Sequence, residues 1–327
     1  MKGMTAKVLF VACIVFACGS LNAQTNVWQP SPGHTQLPIW PGAAPDANAQ
    51  LLPGPEYVTN VLSPSGVSWV ALCNVSLPTM TVYSPKGKNS GVAMVVFPGG
   101  SYNCLAIDLE GTKICDWLAS RGITAVLLKY RVPLKKEGPY WESPLALEDA
   151  QRTVGLVRFH AAEWQIDPHK IGVIGFSAGG HMVAATSTHF DKLSYPVVDA
   201  ADKESCRPDF AIACYPGHLH HGEDLKLNPN VPVTSNTPTT FILQAVDDHR
   251  AFDQAAIGEE IFDRGETFHI TDFIDDHHPQ MLANAGHGLE EGIIAWGLDF
   301  DELLELGFDG GDLGVEMADV GRTTLTA

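Results

Sequence analysis

The chain has 327 residues and carries 38 Asp and Glu against 20 Lys and Arg, a net charge of −18. That excess of negative charge repels phosphate backbones and argues against a nucleic-acid partner. Seven cysteines include five beyond the first two dozen residues, none in C-x-x-C spacing, so neither a disulfide framework nor a zinc site is indicated.

The chain opens with Lys2 and Lys7, followed by an apolar run from Val8 to Cys18 and then small and polar residues. A core of that length suits a signal peptide and is short for a membrane span. Cleavage after Ala23 is expected, so residues 1–23 are read as a signal peptide and the protein as exported, periplasmic or secreted. A lipoprotein anchored through Cys18 is the weaker alternative, because Phe16 stands where a small residue is usual. No later apolar run is long enough to span a membrane. Residues 24–55 are rich in proline, which predicts extended, loop-like structure.

From residue 56 the pattern becomes regular. Strand-like pieces at Ser68–Cys73 and Met80–Tyr83 suggest an antiparallel start to a sheet. Val92–Phe97 is a continuous apolar strand suited to burial on both faces. Leu109–Arg121 reads as helix, stopped by Gly122, and Ile123–Leu128 as a second buried strand. Ser143-Pro144 starts the next helix, with Leu147, Ala150, Val154, Val157 and Ala161 on one face. Ile171–Ile174 is a strand, and further strands follow near Phe210–Cys214 and Thr240–Ala245. This alternation predicts an α/β fold: right-handed βαβ units and a mostly parallel sheet with helices on both faces. The chain is long enough to bury one such core without requiring a second. His218, His220 and His221 read as a solvated loop rather than a metal site.

The chemistry centres on Gly175-Phe176-Ser177-Ala178-Gly179-Gly180-His181, a G-x-S-x-G motif between a strand and a helix. That context presents a serine on a sharp turn, a nucleophile elbow. A serine hydroxyl needs a histidine to take its proton and a carboxylate to orient that histidine. It also needs backbone N–H groups to meet the oxyanion. Phe97-Pro98-Gly99-Gly100-Ser101-Tyr102, directly after a buried strand, could aim one such N–H, and Ala178 the other. Phe241–Val246 runs into Asp247 and Asp248, placing an acid at the sheet edge where ligands bind; Asp248 is the favoured one.

Pro98–Tyr102, Ser143–Arg152, Gly175–His181 and Gln244–His249 together resemble the α/β-hydrolase superfamily. Within it they are most similar to exported bacterial acetyl-xylan/feruloyl-esterase-like enzymes, some of them labelled xylanase. The likeness runs from about residue 36 to 249. It implies a cofactor-free serine esterase with an acyl-enzyme intermediate, acting on a small-molecule or polysaccharide ester such as acylated xylan. By the family's motifs Ser177 is the nucleophile, Asp248 the acid, and Gly100 and Ala178 the oxyanion donors.

The likeness stops at Arg250, and the charge changes at the same place. Residues 250–327 hold 3 Lys and Arg against 18 Asp and Glu, a balance of −15, where residues 1–249 stand at −3. The domain is therefore set at 56–249, followed by an acidic, atypical segment over 250–327 that reads as foreign to it. Asn284-Ala285-Gly286-His287-Gly288-Leu289 is the nearest equivalent of the family's histidine turn, which makes His287 the candidate base, with His269, His277 and His278 as competitors. Asp309-Gly-Gly-Asp312 lacks the spacing of a calcium loop and reads as a solvated turn. A peptidase of the same fold, and a relic or binding protein without a working histidine, are the rival readings.

Overall fold

The computed structural model describes residues 28–45, 54–62, 68–132, 144–217, 219–221, 226–228, 230–243 and 268–270. The expected signal peptide and most of the acidic segment lie outside these described residues. Along the chain run β1 (Gln36–Pro38), β2 (Tyr57–Leu62), β3 (Ser68–Cys73), β4 (Thr79–Tyr83), β5 (Ala93–Phe97) and β6 (Cys104–Ala106). A π-helical turn (Asp108–Thr112) leads into α1 (Lys113–Ser120), followed by β7 (Thr124–Lys129), α2 (Pro144–Phe159), β8 (Ile171–Phe176) and α3 (Ala178–Thr188). A 3₁₀ turn (Ala200–Lys203) then precedes β9 (Phe210–Cys214), β10 (His220–His221), β11 (Lys226–Leu227), β12 (Thr239–Leu243) and β13 (Phe268–Ile270).

The apolar runs read from sequence form the middle of the sheet because every residue in them is covered on both faces. All of β5, β7 and β8 is buried. The eight-stranded sheet has the order β1-β4-β7-β5-β8-β9-β12-β13, antiparallel at β1-β4-β7 and parallel from β7 onward. The α/β class and the mostly parallel sheet follow the expectation. β2, β3 and β6 make a separate antiparallel sheet. Among the described residues no helix is long and apolar enough to cross a membrane.

Three details differ from the expectation. The helix read over Leu109–Arg121 begins as a π-helical turn, which buries Leu109, Glu110 and Gly111 before the α-helical geometry starts. His220–His221, read as loop, pairs with Lys226–Leu227 as a short hairpin. Within the acidic segment, Phe268–Ile270 lies parallel to Thr240–Ile242 and adds a strand to the main sheet.

The proline-rich segment is pinned where it crosses α2. Trp40 is buried, donates its Nε1–H to Asp149 Oδ1 at 2.9 Å, and lies against the Arg131 and Arg152 guanidinium groups. Arg131 in turn donates to Asp149 from its backbone N and its Nε, and to Glu148 at 2.8 Å. Arg152 reaches the Ile39 carbonyl, Asp199 and Asp202. Each buried charge thus has a counter-charge and hydrogen bonds, the condition under which burial of ions is tolerated. This accounts for three charged residues of α2, Glu148, Asp149 and Arg152, being hidden in a helix whose apolar stripe alone would have left them outside.

Candidate active site

Four strand ends meet at one level of the sheet. Phe97 pairs with Gly175, Phe176 with Cys214, and Cys214 with Leu243. Ser177 follows immediately after Phe176, at that edge, and is partly exposed. Its backbone sits at φ 51° and ψ −112°, a conformation that costs a non-glycine residue on the order of 1–3 kcal/mol and persists only when its surroundings hold it. Here they do. The Ser177 N–H donates to the Cys214 carbonyl at 3.0 Å, and its carbonyl accepts from His181 N–H at 3.0 Å and Gly217 N–H at 3.2 Å. The helix packs against the strand end so tightly that a Cβ on Gly179 would stand 1.9 Å from the Phe97 carbonyl oxygen. Only glycine fits there.

The turn after β5 lies against this elbow. A Cβ built on Gly99 would come within 3.1 Å of the Ser177 Cβ. Gly100 turns the chain at φ +129°, and Ser101 and Tyr102 also have positive φ. The Gly100 carbonyl accepts from the N–H groups of Asn103 and Cys104, and the Gly99 carbonyl from Ala106. The Gly99 N–H donates to Glu110 Oε2 at 2.7 Å. Among the described residues the Gly100 N–H has no acceptor, which leaves it available to a ligand. Ala178 opens α3, where first-turn N–H groups lack intrahelical acceptors. Ala178 thus follows Ser177 directly in the chain, and the turn that carries Gly100 packs against Ser177 through Gly99.

Sequence reasoning did not find the residues behind the turn. Tyr102 is buried and its hydroxyl lies 2.9 Å from His181 Nδ1, joining the turn to α3. The Tyr130 hydroxyl donates to the Pro98 carbonyl at 2.5 Å. Glu110 is buried, held by the Gly99 N–H on one oxygen and the Tyr215 hydroxyl on the other at 2.9 Å. Burial pushes its carboxyl up to about 7, against the pull of those two hydrogen bonds. Burial also raises the Tyr215 hydroxyl well above its usual value, with the Glu110 charge adding to it. No spacing in the sequence marks a carboxyl on a π-helical turn.

Asp247, Asp248, His287, His277 and His278 lie outside the described residues. The strand leading to the aspartates, β12, ends at Leu243 level with Cys214, at the elbow's edge. Of His269 only the backbone is described, opposite Phe241.

Comparison with known proteins agrees with this geometry. Residues 80–216 match the BD-FAE family model. A protein named endo-1,4-beta-xylanase B of Butyrivibrio fibrisolvens is 30% identical over 190 residues, 53% of this chain and 29% of that protein. A protein named acetylxylan esterase of Xylanibacter ruminicola is 34% identical over 124 residues, 36% of this chain and 25% of that protein. The chain thus spans less than a third of the length of either curated relative. Among solved structures, an acetyl ester-xyloside bifunctional hydrolase from Caldicellulosiruptor lactoaceticus superposes with a TM-score of 0.53 at 29% identity, covering 72% of this chain and 84% of that one. Strand order, elbow and these matches give the chain the α/β-hydrolase fold and make it similar to the esterases of that fold.

Proposed function

We propose that the protein is an exported serine carboxylic-ester hydrolase that removes acyl groups from plant polysaccharide of the xylan type. The observation that carries this reading is the Ser177 elbow with the Pro98–Gly100 turn packed against it. The names of the relatives, which include an acetylxylan esterase and an acetyl ester-xyloside hydrolase, support the ester class and the xylan setting.

In the proposed cycle Ser177 Oγ attacks the ester carbonyl while His287 takes its proton and Asp248 steadies the resulting imidazolium. The Gly100 and Ala178 N–H groups hold the oxyanion, a task that fixed backbone dipoles perform without reorganising. The alcohol leaves with the proton from His287, and water then hydrolyses the acyl-enzyme by the same steps. The domain that does this is residues 56–249, completed by a histidine from the acidic segment.

Turnover of 4-nitrophenyl acetate and of acetylated xylan by the purified chain tests the reading, with labelling of Ser177 by a fluorophosphonate as the second measurement. Activity in the wild type and a loss of about 10⁴-fold in Ser177→Ala support it. Amide cleavage in preference to ester cleavage would favour a peptidase. A wild type that neither turns over nor labels would leave a binding protein on a hydrolase fold.

A further inference from the structure

β3 and β6 run antiparallel, and in that pairing Cys73 stands directly opposite Cys104. Residues so opposed hold their Cβ atoms about 4.5–5.5 Å apart, a small adjustment from the about 3.5–4.5 Å of a disulfide. The remaining described cysteines are buried, Cys115 in α1, Cys206 in the loop before β9 and Cys214 in β9, while Cys73 and Cys104 are partly exposed. Five cysteines beyond the signal region left the pairing open in the sequence; the sheet register selects one pair.

From this register we propose that Cys73 and Cys104 are joined as a disulfide when the protein meets a disulfide oxidant, such as oxidised glutathione or a thiol–disulfide oxidoreductase. The setting is the oxidising compartment that export implies. Cys73 is the entry point. It is flanked on its other side by Tyr57 of β2, itself half exposed, whereas burial pushes the Cys104 thiol up to about 12. The Cys73 thiolate attacks one sulfur of the oxidant, forming a mixed disulfide and releasing the first thiolate. Cys104 then gives up its proton to water and attacks the Cys73 sulfur, and the second oxidant thiolate leaves. Two protein thiols and one external disulfide become one protein disulfide and two external thiols.

The bridge has a structural consequence at the candidate site. The Cys104 N–H donates to the Gly100 carbonyl at 3.2 Å, and its Sγ lies 3.8 Å from the same oxygen. Oxidation ties the rear of the turn that carries Gly100 to the three-stranded sheet, closing a loop of roughly 30 residues around β4 and β5.

The test uses the purified full-length chain equilibrated with oxidised glutathione, denatured, and treated with a maleimide before peptide mapping. The expected result is a Cys73–Cys104 cross-linked peptide in the wild type and in Cys115→Ser, and its absence in Cys104→Ser. The melting temperature of the oxidised wild type should exceed that of the reduced protein by about 5–10 °C. Maleimide on both Cys73 and Cys104 after oxidation, glutathione retained on Cys73 without a bridge, or a bridge to any other cysteine would overturn the proposal. None of these readouts depends on hydrolysis, so an inactive enzyme leaves the test intact.

Discussion

Glu110 accepts the backbone N–H of Gly99 at 2.7 Å from a position sealed against solvent. The bond occupies the Gly99 N–H, while among the described residues the next N–H, on Gly100, has no acceptor. A carboxyl placed there sets the orientation of the turn without touching the reacting atoms. We expect Glu110→Ala to lower kcat for 4-nitrophenyl acetate by about 10- to 100-fold, since small misplacements of oxyanion donors are costly. KM should change little, and Glu110→Gln, which keeps an acceptor for Gly99, should recover most of the loss. Equal loss in Gln and Ala, or a rise in KM alone, would remove Glu110 from this role.

The same carboxyl makes a prediction about stability and pH. Its value rises from 4.5 to about 7 on folding because burial disfavours the charged form. Between those values the folded state holds a proton that the unfolded state has released, so stability falls as pH rises through that window. The contribution is fully present below about 4.5 and lost above about 7, and amounts to about 3 kcal/mol. Glu110→Gln has no such proton to release. Urea denaturation from pH 5 to 8 should therefore show the variant gaining on the wild type as pH rises, and a constant difference would contradict the assignment.

Gly179 faces the Phe97 carbonyl oxygen at a distance that a methyl group would reduce to 1.9 Å. Two backbones meet there, so neither can swing aside as a side chain would. Gly179→Ala is expected to destabilise the fold by about 1–3 kcal/mol or more and to slow fluorophosphonate labelling of Ser177. Urea denaturation and probe labelling on the same samples separate the two effects.

Asp149 anchors the proline-rich segment through Trp40 while neutralising Arg131, and all three are buried. Its removal leaves the Arg131 guanidinium short of a partner and the Trp40 N–H without one. Asp149→Ala should cost about 3–5 kcal/mol in urea denaturation. Glu163→Ala provides the contrast, because its pairing with His160 is exposed and should be worth less than about 1 kcal/mol.

What the sequence made legible follows from how local each signal is. The central strands were readable because burial on both faces demands apolar runs, as in Val92–Phe97 and Ile171–Ile174. The elbow and the Pro98–Gly100 turn were readable because their backbone shapes need glycine at fixed spacing. Glu110, Tyr102 and Tyr215 were not, since each acquires its role from a neighbour 11 to 105 positions away. The pairing of Cys73 with Cys104 was hidden for the same reason: register between strands is set by the whole sheet.

The remaining members of the candidate triad can be separated by their unequal effects. β12 brings the chain to Leu243 at the level of Cys214 and the elbow, and Asp247 and Asp248 follow within a reach of at most about 14–18 Å. If Asp248 orients the base, Asp248→Asn should lower kcat by about 10⁴-fold, because an amide fixes the wrong imidazole tautomer. Asp247→Asn should change it by less than about tenfold. His287→Ala should match Ser177→Ala in severity, and the Ser177→Ala/His287→Ala double variant should be no slower than either alone, since residues acting as one unit are not additive. Steady-state rates on 4-nitrophenyl acetate read all of these. A reversed order of the two aspartates moves the acid to Asp247, and an active His287→Ala transfers the base to His269, His277 or His278, each testable by the same substitution.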